Sequence, residues 1–135
     1  MSIQLSTTVR NARLDVIEST IGASAVLKIR SGAAPANVGS ADSGTVLSTI
    51  ALPSDWMAAA ASGQKVLSGT WSDASADAAG TAGHFRIYAS DGTTPHLQGS
   101  ITATGGGGDL TLDNTVFAAG QQFSITGFTL NEANG

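Results

Sequence analysis

The chain has 135 residues, a formal net charge of −4 at pH 7 and only 12% charged residues. This length fits one domain, since single domains cluster near about 100–150 residues. The six Lys and Arg residues form no cluster, which argues against nucleic acid as a partner, and no apolar run is long enough to span a membrane. The absence of cysteine excludes disulfides, thiol catalysis and cysteine-based metal sites. The N-terminus shows no signal-peptide pattern, so we expect synthesis in the cytoplasm.

The first predicted element is a helix over Thr7–Ile21, because apolar residues recur there at spacings of three and four. These apolar residues are Val9, Ala12, Val16, Ile17 and Ile21. Ser6 or Thr7 can act as the N-cap, and Gly22 stands where a glycine commonly ends a helix. We therefore expect a helical segment over residues 1–22, followed by a β-sandwich domain over residues 23–135.

The charges of this helix oppose its macrodipole, since Arg10 and Arg13 come early and Asp15 and Glu18 come late. Two interpretations remain open: the cost of this order is too small to matter, or the arginines meet carboxylates elsewhere in the fold or on a neighbour. We expect contact with a partner through this helix or through one face of the sheet. The candidate protein-interface residues are Val9, Arg10, Arg13, Val16 and Ile17.

After the helix the apolar periodicity changes to two, which is typical of strands. Seven strands are predicted, over residues 25–30, 45–52, 65–72, 84–90, 96–104, 109–114 and 121–131. A short helical turn is predicted over 53–61, where four alanines follow Met57. The intervening loops 33–43 and 73–83 are long and polar, and we expect a neighbouring molecule to order them.

Turn residues complete the prediction of the fold. Asp91-Gly92 is the strongest hairpin signal, and the four glycines 105–108 suit a flexible hairpin connection. Gly127 predicts a bulge that lets Phe128 and Leu130 join the buried face. The predicted fold is all-β: an antiparallel β-sandwich of about seven strands, immunoglobulin-like or jelly-roll, preceded by one N-terminal α-helix. A more fully closed barrel is the competing architecture.

No arrangement of side chains predicts catalysis, and we expect the protein not to be an enzyme. The glycine run 105–108 is followed by Asp109 and a strand, whereas a phosphate loop needs Lys, then Ser or Thr, and a helix. His84 and His96 lie at the two ends of one hairpin without a third ligand, so hydrogen-bonded histidines are favoured over a metal site. We therefore predict no catalytic, cofactor-binding or metal-binding residues, and no cofactor.

Several stretches of the sequence carry a family pattern. They are QLSTTVRNARLD (4–15), GTAGHFRIY (80–88), DGT (91–93), QGSI (98–101), GDLTLDNT (108–115), AGQQFSIT (119–126) and FTL (128–130). In these stretches, which extend over most of the chain, the sequence resembles a family of small phage virion proteins. The resemblance implies a virion structural protein encoded among phage head and tail genes, and it brings no site residues with it.

Two functions fit this resemblance. The first is a capsid decoration (cement) protein, located in the virion, that binds the major capsid protein or other virion proteins and associates with itself. The alternative is a tail-tip or fibre β-sandwich module that recognises a cell-surface glycan. The aromatic side chains discriminate between them, because a glycan module would expose Trp56, Trp71 or Tyr88, whereas a decoration protein would bury the tryptophans.

Overall fold

One helix precedes nine strands in the computed structural model, which describes residues 3–132. The elements are α1 (Thr7–Ile21), β1 (Val26–Ser31), β2 (Val46–Ala51), β3 (Gln64–Val66), β4 (Ser72–Asp73), β5 (Gly80–Tyr88), β6 (Pro95–Ala103), β7 (Leu110–Leu112), β8 (Val116–Phe117) and β9 (Phe123–Asn131). The helix has the predicted bounds. Ser6 is its N-cap, with the side-chain Oγ accepting a hydrogen bond from the N–H of Val9 at 3.2 Å. At the other end, the N–H of Gly22 donates to the main-chain oxygen of Glu18 at 2.9 Å.

The hydrogen-bonded strands follow the order β2-β1-β5-β6-β7-β9-β3, with β4 beside β9 and β8 beside β5. In the described part of the chain every named pair is antiparallel except β6 and β7, where Ile101 pairs in parallel with Leu110. The other pairs follow the predicted antiparallel arrangement, and this one parallel pair makes the sheet mixed. The expectation of a hairpin at the four glycines is wrong. Gly105 and Gly107 adopt positive φ angles of 86° and 84°, which lets residues 104–109 bring the chain back to run beside β6 in the same direction.

The sheet folds over one core. In a flat sheet, β5 and β9 would lie three strand spacings apart, about 14 Å. The ring centroids of Phe85 on β5 and Phe128 on β9 are nevertheless only 5.5 Å apart, in an edge-to-face arrangement. Trp71 extends this cluster at 5.4 Å from Phe128, and Trp56 lies 6.0 Å from Trp71. The protein is therefore mostly β, with a mixed sheet folded over its core in the manner of a β-sandwich and one N-terminal helix.

The segment 53–61 is not helical, contrary to the prediction. The N–H of Ala58 donates to the main-chain oxygen of Val66 at 2.8 Å, and the N–H of Ala60 donates to Asp15 Oδ1 at 3.0 Å. These donors would close the turns of a helix if they were free. Because they bind a neighbouring strand and α1 instead, the helix propensity of the alanines is overridden by tertiary hydrogen bonds.

The structure has nine strands where seven were predicted, because one predicted strand is divided and because β8 lies at residues 116–117, where no strand was predicted. The predicted strand 65–72 is divided into β3 and β4 by a turn at Gly69, which has a φ of 74°. β5 begins at Gly80 rather than at residue 84, because its first residues pair with β8. The bulge predicted near Gly127 is confirmed, since the register of β9 against β7 shifts there. As expected, Phe128 is buried, and Leu130 packs against the core as a partly buried side chain.

The polar loop 73–83 is held by the chain itself. The N–H of Ala76 donates to the main-chain oxygen of Gln121 at 2.8 Å, and the N–H of Asp77 donates to that of Leu47 at the same distance. The side chain of Ala76 is part of the core. The expectation that this loop needs a neighbouring molecule for order is therefore wrong.

Candidate interaction surface

The inner side of α1 contacts residues 56–65 largely through polar groups. The side chain of Lys65 is only 2% exposed, and its Nζ lies 2.7 Å from Asp15 Oδ1 and 2.9 Å from Glu18 Oε2. The hydrogen bond from Lys65 holds the pKa of Asp15 below its ordinary value. Burial alone would lower the pKa of Lys65, but its hydrogen bonds to Asp15 and Glu18 raise it. The late carboxylates of the helix are thus placed to neutralise a buried ammonium group.

The two arginines of α1 contact the residue that follows β9. Arg13 Nη1 lies 2.8 Å from the carboxylate oxygen Oε1 of Glu132. Arg10 Nη1 donates to the main-chain oxygen of the same residue at 3.4 Å. Of the two interpretations that the sequence left open, the structure therefore shows the second, with a carboxylate of the same chain as the partner of Arg13. Tertiary contacts compensate the unfavourable order of charges along the helix.

The opposite side of α1 exposes apolar side chains. Leu14 and Ile21 face the protein and are 1% and 7% exposed, whereas Val9 is 45% exposed and Val16 is 57% exposed. Ala12, between them along the helix, is also exposed. We call Val9, Ala12 and Val16 the outer helix face. It is an apolar strip on an element whose other side is held in place by ion pairs.

The five predicted interface residues divide between solvent and the fold. Val9, Val16 and Arg13 are exposed, and the aliphatic part of Arg13 lines a shallow apolar hollow together with the outer helix face. Arg10 is half-buried and turned toward the end of β9. Ile17 is half-buried and packs against the core. Three of the five residues are therefore available to a partner in the free protein.

A polar cluster, which the sequence analysis did not identify, joins the β1–β2 loop (residues 32–45) to β1 and β5; its two arginines and its tyrosine are buried, whereas its carboxylate is partly exposed. Asp42 in this loop accepts hydrogen bonds from Arg86 Nη1 at 2.9 Å, from Arg30 Nη2 at 2.9 Å and from the hydroxyl of Tyr88 at 2.7 Å. The side chains of Arg30 and Arg86 are 9% and 1% exposed. We call these four residues the Asp42 cluster.

Every nitrogen of both guanidinium groups in the Asp42 cluster has an acceptor. Besides the bonds already given, Arg30 donates to the main-chain oxygen of Gly44 at 3.3 Å. Arg86 donates to Gln98 Oε1 and to the main-chain oxygen of Asn37, both at 3.1 Å. The cluster therefore holds the β1–β2 loop against the sheet through hydrogen bonds at all six guanidinium nitrogens.

The charges in this cluster are stabilised by one another. Burial would raise the pKa of Asp42, but the hydrogen bond from Tyr88 and the positive charges of Arg30 and Arg86 bring it below its ordinary value. Burial and the hydrogen bond to Asp42 raise the pKa of Tyr88. At neutral pH the carboxylate is ionised and the phenol is neutral. Because these contacts order the loop, the expectation that loop 33–43 depends on a neighbour is wrong.

The two histidines are not brought together. His84 is buried, with its Nδ1 2.8 Å from the main-chain oxygen of Gly32, whereas His96 is exposed and lines a hollow beside Ile17 and Ile21. Within residues 3–132, no group of three or more His, Asp or Glu side chains is placed to hold a metal ion. No helix in that same part of the chain has the length and apolar content required to cross a bilayer.

The large aromatic side chains belong to the interior. Trp56, Trp71 and Tyr88 are 0%, 1% and 0% exposed. The indole nitrogens of the tryptophans donate to main-chain oxygens, Trp56 to Gly22 at 3.0 Å and Trp71 to Ser68 at 3.1 Å. The prediction that the tryptophans are core anchors is confirmed.

The outer helix face is thus the candidate interaction surface that the structure offers, since it combines exposed apolar side chains with a fixed backbone. The Asp42 cluster has the greater density of charged groups, but its groups are bound to one another. Comparison of the chain with protein-family models, with curated proteins and with solved structures finds no match.

Proposed function

We propose that this protein is a bacteriophage virion structural protein: a capsid decoration protein that binds the assembled shell through its outer helix face. The observation that carries the proposal is the exposure of Val9 and Val16 on a helix whose inner side is fixed by ion pairs. The resemblance of the sequence to small phage virion proteins supports the virion as its location. The proposed partner is the major capsid protein.

The physical chemistry of the outer helix face suits a protein partner. A helix that is already rigid loses little conformational entropy when it binds. Covering Val9 and Val16 would contribute about 1–2 kcal/mol each, because each side chain is already partly buried. The carboxylates of Asp15 and Glu18 are bound to Lys65 on the inner side, so they need no new partner when the outer face is covered.

The low charge of the chain also supports a role in an assembly. Charged residues make up 12% of the sequence, against about 25% in ordinary globular proteins. Charged residues are depleted in the centres of protein interfaces, because charges must lose water when a partner covers them. A surface with few charges can therefore pack side by side with neighbours at low desolvation cost.

The alternative, a glycan-binding module, depended on exposed aromatic rings. Trp56, Trp71 and Tyr88 were the residues considered for that role, and all three are buried. Their rings pack within the fold and present no face to a sugar. For this reason we propose the decoration role rather than the glycan-binding role.

The proposal is tested by measuring the copy number of the protein in purified phage particles, relative to the major capsid protein. For a decoration protein we expect a number comparable with that of the capsid subunit. The double variant Val9→Ser/Val16→Ser should lower occupancy at limiting protein concentration about ten- to hundredfold, since each 1.4 kcal/mol corresponds to tenfold. Val116→Ser, at an exposed valine on β8, is the matched control and should bind normally.

Two results would contradict the proposal in different ways. A copy number of only a few per particle would exclude decoration of the shell, and would place the protein at a unique vertex or in the tail. Normal occupancy by the Val9→Ser/Val16→Ser variant would exclude the outer helix face as the contact, even if the copy number were high.

A further inference from the structure

The two edges of the sheet differ in how they are covered. At β3, the N–H of Ala58 donates to the main-chain oxygen of Val66, and that of Ala61 donates to Gln64, both at 2.8 Å, so residues 57–61 cover this edge. At β2, the segment around Asp77 covers only the first part of the strand, where its N–H donates to the main-chain oxygen of Leu47. Beyond Leu47, Thr49 and Ala51 of β2 are exposed.

The direction of each backbone group in β2 follows from its pairing with β1. The N–H of Leu52 donates to the main-chain oxygen of Ala25. Hydrogen-bonded pairs recur at every second residue of an antiparallel ladder, so the backbone N–H and C=O groups of Ile50, which pairs with Leu27, also point toward β1. The backbone groups of Thr49 and Ala51 consequently point away from the sheet. Both residues are exposed, and within residues 3–132 neither makes a hydrogen bond to a segment other than β1.

The middle of this edge lacks the usual protection against pairing. Natural edge strands carry charges, prolines or bulges that prevent another chain from adding to the sheet. No charged residue or proline occurs over residues 45–52, and Pro53 follows the strand. A register shift against β1 separates Val46 from Ser48 at the beginning of β2. The four residues 48–51 between these two features are uncharged and form regular strand.

We propose that β2 pairs with β2 of a second copy of this chain, antiparallel, about a two-fold axis at Ile50. In this register Thr49 of each molecule lies opposite Ala51 of the other, and each such pair exchanges two main-chain hydrogen bonds. Beyond this pair the two strands separate, because the N–H of Asp77 already occupies the place beside the carbonyl of Leu47 where Pro53 of the second copy would lie. Pro53 follows the strand and has no N–H, so no donor is lost by this separation.

This self-complementarity selects the second copy as occupant and also selects the register. An axis at Thr49 would place the N–H of Ala51 opposite the occupied carbonyl of Leu47. An axis at Ala51 would place the carbonyl of Thr49 opposite Pro53, which cannot donate. Of these three axes, only the one at Ile50 pairs Thr49 with Ala51 without facing an N–H toward the occupied carbonyl of Leu47 or a carbonyl toward Pro53, and an isologous contact of this kind closes as a dimer. The proposal does not rest on the decoration role, because β2 and the outer helix face are separate surfaces.

The side chains brought together are compatible with the pairing. Thr49 faces Ala51 on the outer side of the joined sheet, and Ile50 meets its own symmetry mate on the core side. Ser48 lies opposite Leu52. No like charges face each other, which would disfavour cross-strand pairs.

The register is tested by disulfide formation, because the chain contains no other cysteine. In the double variant Thr49→Cys/Ala51→Cys, the facing positions would have Cα atoms about 5.5 Å apart, within the range that a disulfide spans. In either single variant the cysteine of one molecule is offset by two residues from the cysteine of the other. Their Cα atoms would lie about 8–9 Å apart, too far for a disulfide. We expect a covalent dimer from the double variant under mild oxidation and none from the single variants. Equal crosslinking of all three, or of none, would overturn the proposal.

The unmodified chain provides a second test that does not depend on the variants folding. As protein concentration rises, amide hydrogen exchange should slow at Thr49 and Ala51, while Ser48 and Ile50 remain protected throughout by β1. Sedimentation equilibrium should show a monomer–dimer equilibrium over the same range. The variant Thr49→Lys/Ala51→Lys should be monomeric, because it places like charges opposite each other.

The matched control is Thr129→Lys, since Thr129 is also an exposed threonine in a strand but pairs with Val66 inside the sheet. It should dimerise normally. Loss of the dimer in Val9→Ser/Val16→Ser but not in Thr49→Lys/Ala51→Lys would overturn the proposal. So would a protein that stays monomeric at millimolar concentration and protects Thr49 only within particles, because the occupant of the edge would then be a different chain.

Discussion

The outer side of β5 and the outer side of α1 both lie away from the main core, yet they are completed in different ways. On β5, the side chains of His84, Arg86 and Tyr88 point away from the core and are covered by the β1–β2 loop, so the strand is buried on both sides. On α1, Val9 and Val16 have no such cover. One surface is charged and closed, and the other is apolar and open.

This difference shows which surface can gain from a partner. The Asp42 cluster already satisfies its charges within the chain, so a partner could replace its contacts only by first breaking them. The outer helix face loses nothing when it is covered, because its apolar groups are in contact with water. The surface with more charged groups, the Asp42 cluster, is therefore not the one that would gain more from a partner.

The largest expected effect is at the ion pairs that hold the inner side of the helix against the fold. The variant Asp15→Asn/Glu18→Gln leaves the buried ammonium group of Lys65 without a carboxylate. We expect the free energy of unfolding to fall by about 3–5 kcal/mol, measured by urea unfolding. Adding Lys65→Met should recover most of the loss, since the buried charge is removed. A small loss in the double variant would mean that the helix is held mainly by apolar contacts.

A somewhat smaller effect is expected at the closed surface. Asp42→Ala removes the carboxylate shared by Arg30 and Arg86, and should lower the free energy of unfolding by about 2–3 kcal/mol, less than for a fully buried pair because the carboxylate is partly exposed. Asp77→Ala is the control, because the side chain of Asp77 is exposed. Equal stability of the two variants would show that the loop covers β5 without stabilising it.

The pH dependence of stability separates the ionised groups from the apolar ones. The pKa values of Asp15 and Asp42 are lowered from 3.8, so their contribution is complete above that pH and is lost as pH falls through the folded values. The pKa values of Tyr88 and Lys65 are raised from 10.0 and 10.5, so their contribution is lost as pH rises through the folded values. The urea concentration at the midpoint of unfolding should therefore decrease when the pH is lowered below about 4 and when it is raised above about 10. Asp42→Ala should reduce the loss of stability at low pH. A loss as large as that of the unmodified protein would contradict this assignment.

The smallest expected effect is at the open surface of the free protein. Val9→Ser/Val16→Ser should change the free energy of unfolding by no more than about 0.5 kcal/mol, because both valines are exposed and serine and valine have similar helix propensities. A thermal melt of the purified variant measures this. A loss of several kcal/mol would mean that these valines support the fold, and their effect on particle binding could then not be attributed to the surface.

The sequence predicted the elements whose signals are local. The helix over Thr7–Ile21 has its period, its cap and its terminal glycine in adjacent residues, and its bounds are confirmed. The turn at Asp91-Gly92 and the bulge near Gly127 follow in the same way from residues that adopt special backbone angles. Both exposed valines of the outer helix face, Val9 and Val16, were also predicted from the helical period alone.

What the sequence did not predict depends on contacts between distant residues. The alanines of 58–61 favour a helix locally, but their backbone donors bind Asp15 and Val66, which no local pattern reveals. The Asp42 cluster left a partial signal, since Arg30 and Arg86 alternate with apolar residues in two predicted strands. Ten acidic residues could have been their partner, and periodicity does not tell which one a long loop brings to them.

The long sequence separation within the Asp42 cluster has a consequence for the order of folding. Asp42 is 44 residues from Arg86 and 46 from Tyr88, and it can reach them only after β1 and β5 have paired. We expect these bonds to be largely absent from the folding transition state, so they slow the escape from the native state rather than speed its formation. The cluster would then slow unfolding, so that the native state would outlast brief exposure to destabilising conditions.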